Sequence, residues 1–209
     1  TLSIDNSYFN KHGLGFYAIN NEPRKIVHAI IPEPENLVYC ANEMERLQNE
    51  GKTDAILGYM PDCDGDRGNI VFWNKKEKKA EVLKAQEVFA LSVLSELAFL
   101  AYSGKTGENA KIAVSVNDPT SMRIEEIAKA FGALVARAEV GEANVVNRAR
   151  ELRAEGYEVR ILGEGSNGGN ITHPAAVRDP LNSIFALIKL LAIKDGKNPD
   201  GSEKKGLFH

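Results

Sequence analysis

The stretch PDCDGDRG, residues 61–68, sets Asp62, Asp64 and Asp66 at alternate positions, with Gly65 between the last two and Arg67 directly after them. In an extended loop, alternate side chains point the same way, so all three carboxylates fall on one side. Like charges held together are costly unless a cation sits among them. Carboxylate oxygens are hard ligands of the kind Mg2+ takes, and the ion leaves positions open for water or phosphate oxygen. Gly65 permits the tight backbone path. Arg67 is not a ligand; its planar fork suits a phosphate that the metal also touches. The stretch thus points to a divalent metal shared with a phosphate. A solvated acidic turn is the plain alternative.

Two other acidic loops are excluded by position. A calcium loop of the EF-hand type needs Gly at its sixth position and Glu at its twelfth; here those are Arg67 and Trp73. A haloacid-dehalogenase phosphatase loop needs Thr or Val where this chain has Asp66.

A second loop, ILGEGSNGGNITHPAAVRDP, spans residues 161–180. Gly163, Gly165 and Gly168 match G-x-G-x-x-G, but a dinucleotide loop opens directly into a helix. Here Pro174 and Pro180 delay the helix until about Leu181. Glu164 and Ser166 lie among the glycines, and that pairing suits a small polyhydroxylated ligand. Arg178 and His173 add candidates for phosphate binding or proton transfer. An ordinary glycine-rich turn is the alternative. Gly104-Lys105-Thr106 is no phosphate loop, since Phe99 stands where the earlier Gly is required.

These loops need a frame. KIVHAII (25–31) reads as a strand, LVYCANEMERLQNEG (37–51) as a helix capped by Glu35 or Asn36, and AILGYM (55–60) as a buried strand. NIVFW (69–73) and AEVLK (80–84) read as a hairpin, with KKEKK at its tip. VFALSVLSELAFLAY (88–102) is a long apolar helix. Strands at 111–116, 134–140 and 157–163 then alternate with helices at 121–132, 142–156 and 181–193. The alternation predicts three-layer α/β/α units with mixed, mostly parallel sheets. The division expected is 1–80, 81–196 and a loose polar tail over 197–209.

The chain has 209 residues, 43% of them hydrophobic, enough for one large or two small cores. Net charge is −3 and there is no clustered basic face, so no nucleic-acid partner is expected. Cys40 and Cys63 make no disulfide framework and fit a reducing cytoplasm. No signal peptide or membrane-spanning apolar run is read, and no membrane partner is expected. The chain begins with Thr1 and its opening reads as the middle of something longer.

Together the two loops resemble the α-D-phosphohexomutases, the phosphoglucomutases and phosphomannomutases. PDCDGDR is similar to that family's D-G-D-[GA]-D-R magnesium loop, which closes its second domain. GEGSNGG is similar to the G-E-x-S-[GF]-[HG] sugar loop of the third. IPEPEN and VNDPTSMRIEEIAKAFGALVARAEVGEANVV carry further likeness, so that the match covers most of residues 30–195. The resemblance implies that Asp62, Asp64 and Asp66 bind Mg2+, that Arg67 contacts the phosphoserine phosphate, and that Glu164 and Ser166 hold sugar hydroxyls. It implies hexose phosphate as substrate (glucose or mannose 1- or 6-phosphate) and a hexose 1,6-bisphosphate intermediate. Two departures stand out. The family's later R-x-K-D becomes V-R-D, placing Arg178 before Asp179. Arginine stays protonated and makes a poor general base, which leaves His173 as the other candidate. The lysine usual after the V-G turn is replaced by Glu142 and Ala143. The family's T-A-S-H-N-P serine loop and R-x-S-G-T-E-P phosphate loop do not occur in these residues, so this stretch alone is expected to bind but not turn over.

Overall fold

The computed structural model describes residues 2–166 and 169–207. Its first sheet follows the hairpin logic of the sequence. Strands β1 (Leu57–Pro61), β2 (Gly68–Asn74) and β3 (Lys79–Val82) are antiparallel in the order β1-β2-β3. Tyr59 stands opposite Ile70, and Trp73 opposite Ala80. The lysine-rich run makes the β2–β3 turn.

Two helices precede the sheet. Helix α1 (Leu2–Lys11) lies where the sequence shows no clear period. It is held by Phe9, which stacks on Phe16 and Phe185 with ring centroids 5.0 and 5.6 Å apart. Helix α2 (Pro34–Asn49) starts earlier than predicted, with Glu33 rather than Glu35 or Asn36 at the cap position. Pro34 is suited to that first turn because its missing N–H would have no partner there. Leu37 and Met44 of α2 pack on Met60 and Val71.

The strand expected over residues 25–31 does not form. Ile26 is 76% exposed, and Ile30 and Ile31 are also exposed. A strand needs a neighbour to satisfy its backbone groups, and none pairs with this run among the described residues.

The second sheet has the order β5-β4-β6-β7, built from β4 (Ala113–Asn117), β5 (Leu134–Ala138), β6 (Ile161–Glu164) and β7 (Gly169–Thr172). β4 is parallel to β5 and β6, while β7 returns antiparallel beside β6. β7 is the strand that the glycine-rich window concealed. Helix α5 (Glu142–Ala154) covers one face through Val145, Ala149 and Leu152. Helices α3 (Ala85–Tyr102) and α4 (Arg123–Ala130) cover the other. The predicted three-layer arrangement with a mixed, mostly parallel sheet is present here.

α3 corrects one sequence reading. At 18 residues and mean hydropathy 1.3 it is long and apolar enough to cross a membrane. Instead, Phe89, Val93 and Leu97 lie at most 1% exposed in the core. Helix α6 (Pro180–Ala192) packs along α3 and touches both β2 and β7. Ile184 and Leu187 of α6 join Phe9, Ile70 and Val88 in one cluster. α3 and α6 thus form a layer shared by the two sheets.

The joint where α6 meets the first sheet is tight. A Cβ at Gly68 would sit 2.6 Å from Pro180 Cβ. Gly68→Ala is expected to cost about 1–3 kcal/mol through overpacking, read as a lower thermal midpoint. An unchanged midpoint would show that this joint yields freely. The tail expected to be loose instead makes a small hairpin, β8 (Gly196–Lys197) with β9 (Glu203–Lys204). Leu207 anchors it by packing on Ala98 and Leu190.

Candidate metal centre and ligand crevice

The acidic loop bridges β1 and β2, so the sheet fixes both its ends. The Asp62 N–H donates to Arg67 O at 3.0 Å and closes it. The Asp62 side chain turns inward, and the residue is 5% exposed. Its Oδ1 accepts from the N–H groups of Gly65, Asp66 and Arg67 at 3.1, 3.1 and 3.2 Å. Its Oδ2 accepts from Arg67 Nε at 2.6 Å. Gly65 adopts φ +75°, the left-handed conformation that glycine enters at little cost. Burial alone would raise the Asp62 carboxyl, but the Arg67 N–H and guanidinium and the Asp66 N–H hold it below the ordinary value. Asp62 therefore both organises the loop and stays charged.

Asp64 is exposed and Asp66 half-buried. One ligand oxygen from each of the three aspartates lies within 4.8 Å of the others. The Asp66 carboxyl is pushed up by burial and by repulsion from Asp62 and Asp64, against the pull of Arg178. An all-oxygen donor set under mutual repulsion fits a hard divalent cation. Arg67 Nε is committed to Asp62, and the side chain remains 36% exposed.

The second loop lies at the carboxyl ends of the parallel strands, where open α/β sheets bind ligands. Glu164 ends β6 and is 6% exposed. Its Oε1 accepts from Asn117 Nδ2 and from the Gly141 N–H, both at 3.0 Å. Asn117 ends β4, and Gly141 precedes α5. The Thr120 hydroxyl donates to Asn117 Oδ1 at 2.6 Å and accepts from the Gly165 N–H at 3.0 Å. Ser166 is exposed next to Glu164. Gly168 of the glycine pattern lies outside the described residues.

Arg178 joins the two loops. Its Nη2 pairs with Asp66 Oδ2. Its Nη1 stands 3.5 Å from Glu164 Oε2, and its Nε 2.8 Å from Glu142 Oε2. The structure thus brings Asp62, Asp64, Asp66, Arg67, Glu164 and Arg178 to one place, with exposed Ser166 on the same loop as Glu164.

His173 is not with them. β7 runs antiparallel to β6, and the His173 N–H donates to Arg160 O at 2.8 Å, just before the start of β6. It therefore sits at the opposite end of the hairpin from Glu164, which removes the geometric case for proton transfer at the crevice. Sequence reasoning did not single out Asn117 or Thr120, and saw Glu142 only as a departure. Asn117 ends β4, Thr120 lies three residues beyond it and Glu142 opens α5, and no local motif marks any of them. A cavity of about 810 Å3 lies elsewhere, on the flank formed by α2, β1 and residues 13–30, and holds none of the predicted site residues.

An α/β/α unit with polar side chains gathered at its strand ends defines the general class. The family described as phosphoglucomutase/phosphomannomutase, alpha/beta/alpha domain III, matches over residues 91–203, more than half of the chain. The chain belongs to the phosphoglucomutase/phosphomannomutase family. Among solved structures it is similar to a putative phosphomannomutase from Thermus thermophilus, with TM-score 0.57 and 20% identity, covering 87% of this chain and 37% of that one. It is also similar to a phosphoglucomutase/phosphomannomutase family protein from Burkholderia thailandensis, with TM-score 0.56 and 19% identity, covering 77% of this chain and 30% of that one. The chain thus spans about a third of the length of the structures it matches. No curated protein matches it by sequence.

Proposed function

We propose that these residues are the metal- and sugar-phosphate-binding part of a Mg2+-dependent phosphohexomutase of the cytoplasm. The reaction interconverts hexose 1-phosphate and 6-phosphate through a phosphoserine and a hexose 1,6-bisphosphate. The observation that carries the reading is the Arg178 contact, which sets the acidic loop against the Glu164 crevice. Mg2+ held by Asp62, Asp64 and Asp66 would offset charge on the phosphoryl group as it moves. Arg67 orients that phosphoryl group through its terminal nitrogens. Glu164, fixed by Asn117 and the Gly141 N–H, presents Oε2 toward sugar hydroxyls. Ser166 adds a hydroxyl on the same side. The serine that carries the phosphoryl group is supplied from outside these residues.

Calorimetry with α-D-glucose 1-phosphate and α-D-mannose 1-phosphate tests the binding. Binding is expected with Mg2+, and is expected to be lost without it or in Asp64→Ala. Asp64 is exposed, so that variant should still fold. Binding that ignores both Mg2+ and Asp64 would overturn the reading. A stand-alone binding module without catalysis is the alternative. Mutase turnover by a longer chain, abolished by Asp64→Ala, separates the two.

A further inference from the structure

Three carboxylates from three elements converge on one guanidinium. Asp66 comes from the acidic loop, Glu164 from the end of β6 and Glu142 from the first turn of α5. Arg178 is only 17% exposed along its side chain. The Nε approach to Glu142 is a charge contact rather than an aligned hydrogen bond. An arginine keeps its charge under all ordinary conditions, so the acidic cluster already contains a tethered cation.

That cation sits on one of the three aspartates that would hold the metal. A divalent ion bound to Asp66 repels the guanidinium and competes for the same carboxylate. Displacement leaves Arg178 with Glu142 and Glu164, at the mouth of the crevice. There its fork is free to take an anionic oxygen from a ligand. Glu142, which replaces the lysine usual after the V-G turn, supplies the anchor that keeps the displaced side chain near.

We propose that Arg178 is a positioning latch: it holds Asp66 until a divalent ion takes its place, and is thereby released toward the phosphate of a ligand at Glu164. The proposal rests on reading Asp62, Asp64 and Asp66 as the metal site. It predicts that metal and sugar phosphate bind with positive coupling that runs through this one side chain.

Mn2+, whose free concentration is read by electron paramagnetic resonance, serves as the probe on the 209-residue chain. Arg178→Met is expected to bind Mn2+ about tenfold tighter, because the internal competitor is gone. α-D-glucose 1-phosphate is expected to tighten Mn2+ binding in the wild type and to leave Arg178→Met unchanged. Arg178→Lys keeps the charge but cannot span three acids, so it falls between the two and serves if the methionine variant fails to fold. Arg178→Met binding Mn2+ no tighter than wild type, with Asp64→Ala still abolishing binding, overturns the latch alone. Wild-type chain that binds no Mn2+, or binds it without Asp64, overturns the metal reading and the latch with it.

Discussion

Asp62→Ala is expected to abolish Mn2+ or Mg2+ binding and to lower stability by about 3 kcal/mol, the scale for losing hydrogen bonds to a buried charge. Its two oxygens accept from three backbone N–H groups and the Arg67 guanidinium. Alanine takes that acceptor from the Asp66 and Arg67 N–H groups and leaves the Arg67 guanidinium only the more distant Asp66 carboxylate at 3.7 Å, while the Gly65 N–H keeps its bond to the Asp62 carbonyl at 3.2 Å. Urea unfolding at neutral pH should show the difference in full. The folded Asp62 carboxyl lies below its ordinary value, so its contribution is present above the ordinary carboxylate range. It is lost as pH falls through the folded value, and the gap between wild type and variant should close in acid. Asp66 works in the opposite sense. Its raised carboxyl takes up a proton earlier as pH falls, which relieves repulsion among the three aspartates. Metal binding that survives in Asp62→Ala would remove this residue from the ligand set.

Glu96→Ala is expected to be the most destabilising single change considered, by about 3–5 kcal/mol, because it breaks a buried charge network from its centre. The Glu96 side chain is 1% exposed within α3. Arg160 Nε donates to it at 2.8 Å, and Lys189 of α6 pairs with its other oxygen. Burial pushes the Lys189 ammonium below its ordinary value, partly offset by Glu96. Removing the acid leaves two cations facing each other beside the core. Urea unfolding of Glu96→Ala gives the measurement, and a loss under about 1 kcal/mol would mean that Glu96 contributes no more than a surface pair.

The parts of the site that were legible in the sequence are those written contiguously. Asp62, Asp64, Asp66 and Arg67 must follow one another to share a loop, and Glu164 with Ser166 sits in a single glycine-rich turn. Asn117 and Gly141 reach Glu164, and Thr120 reaches the Gly165 N–H, only because β4, β5 and β6 end side by side. No local pattern announces that. His173 was misplaced for the converse reason: nearness in sequence to Glu164 became distance once β7 folded back along β6. β7 itself is four residues in a window dominated by glycine and proline, too short to show a period. Residues 25–31 have strand-like composition, but composition cannot supply the neighbouring strand. α3 shows the same limit, since a core helix shared by several layers and a membrane span are written in the same apolar residues.

The layer shared by the two sheets also acts as a ruler. α6 begins at Pro180, against Gly68 at the root of the acidic loop and two residues after Arg178. Its other contacts reach β7 beside the crevice strand. The gap between acidic loop and crevice is therefore set by a helix that both halves grip. Widening it by rocking the first sheet away from the shared layer would tear Ile184 and Leu187 from Ile70. Under the proposed function, a ligand entering here would meet a gauge of set width, adjusted by the side chains at its jaws.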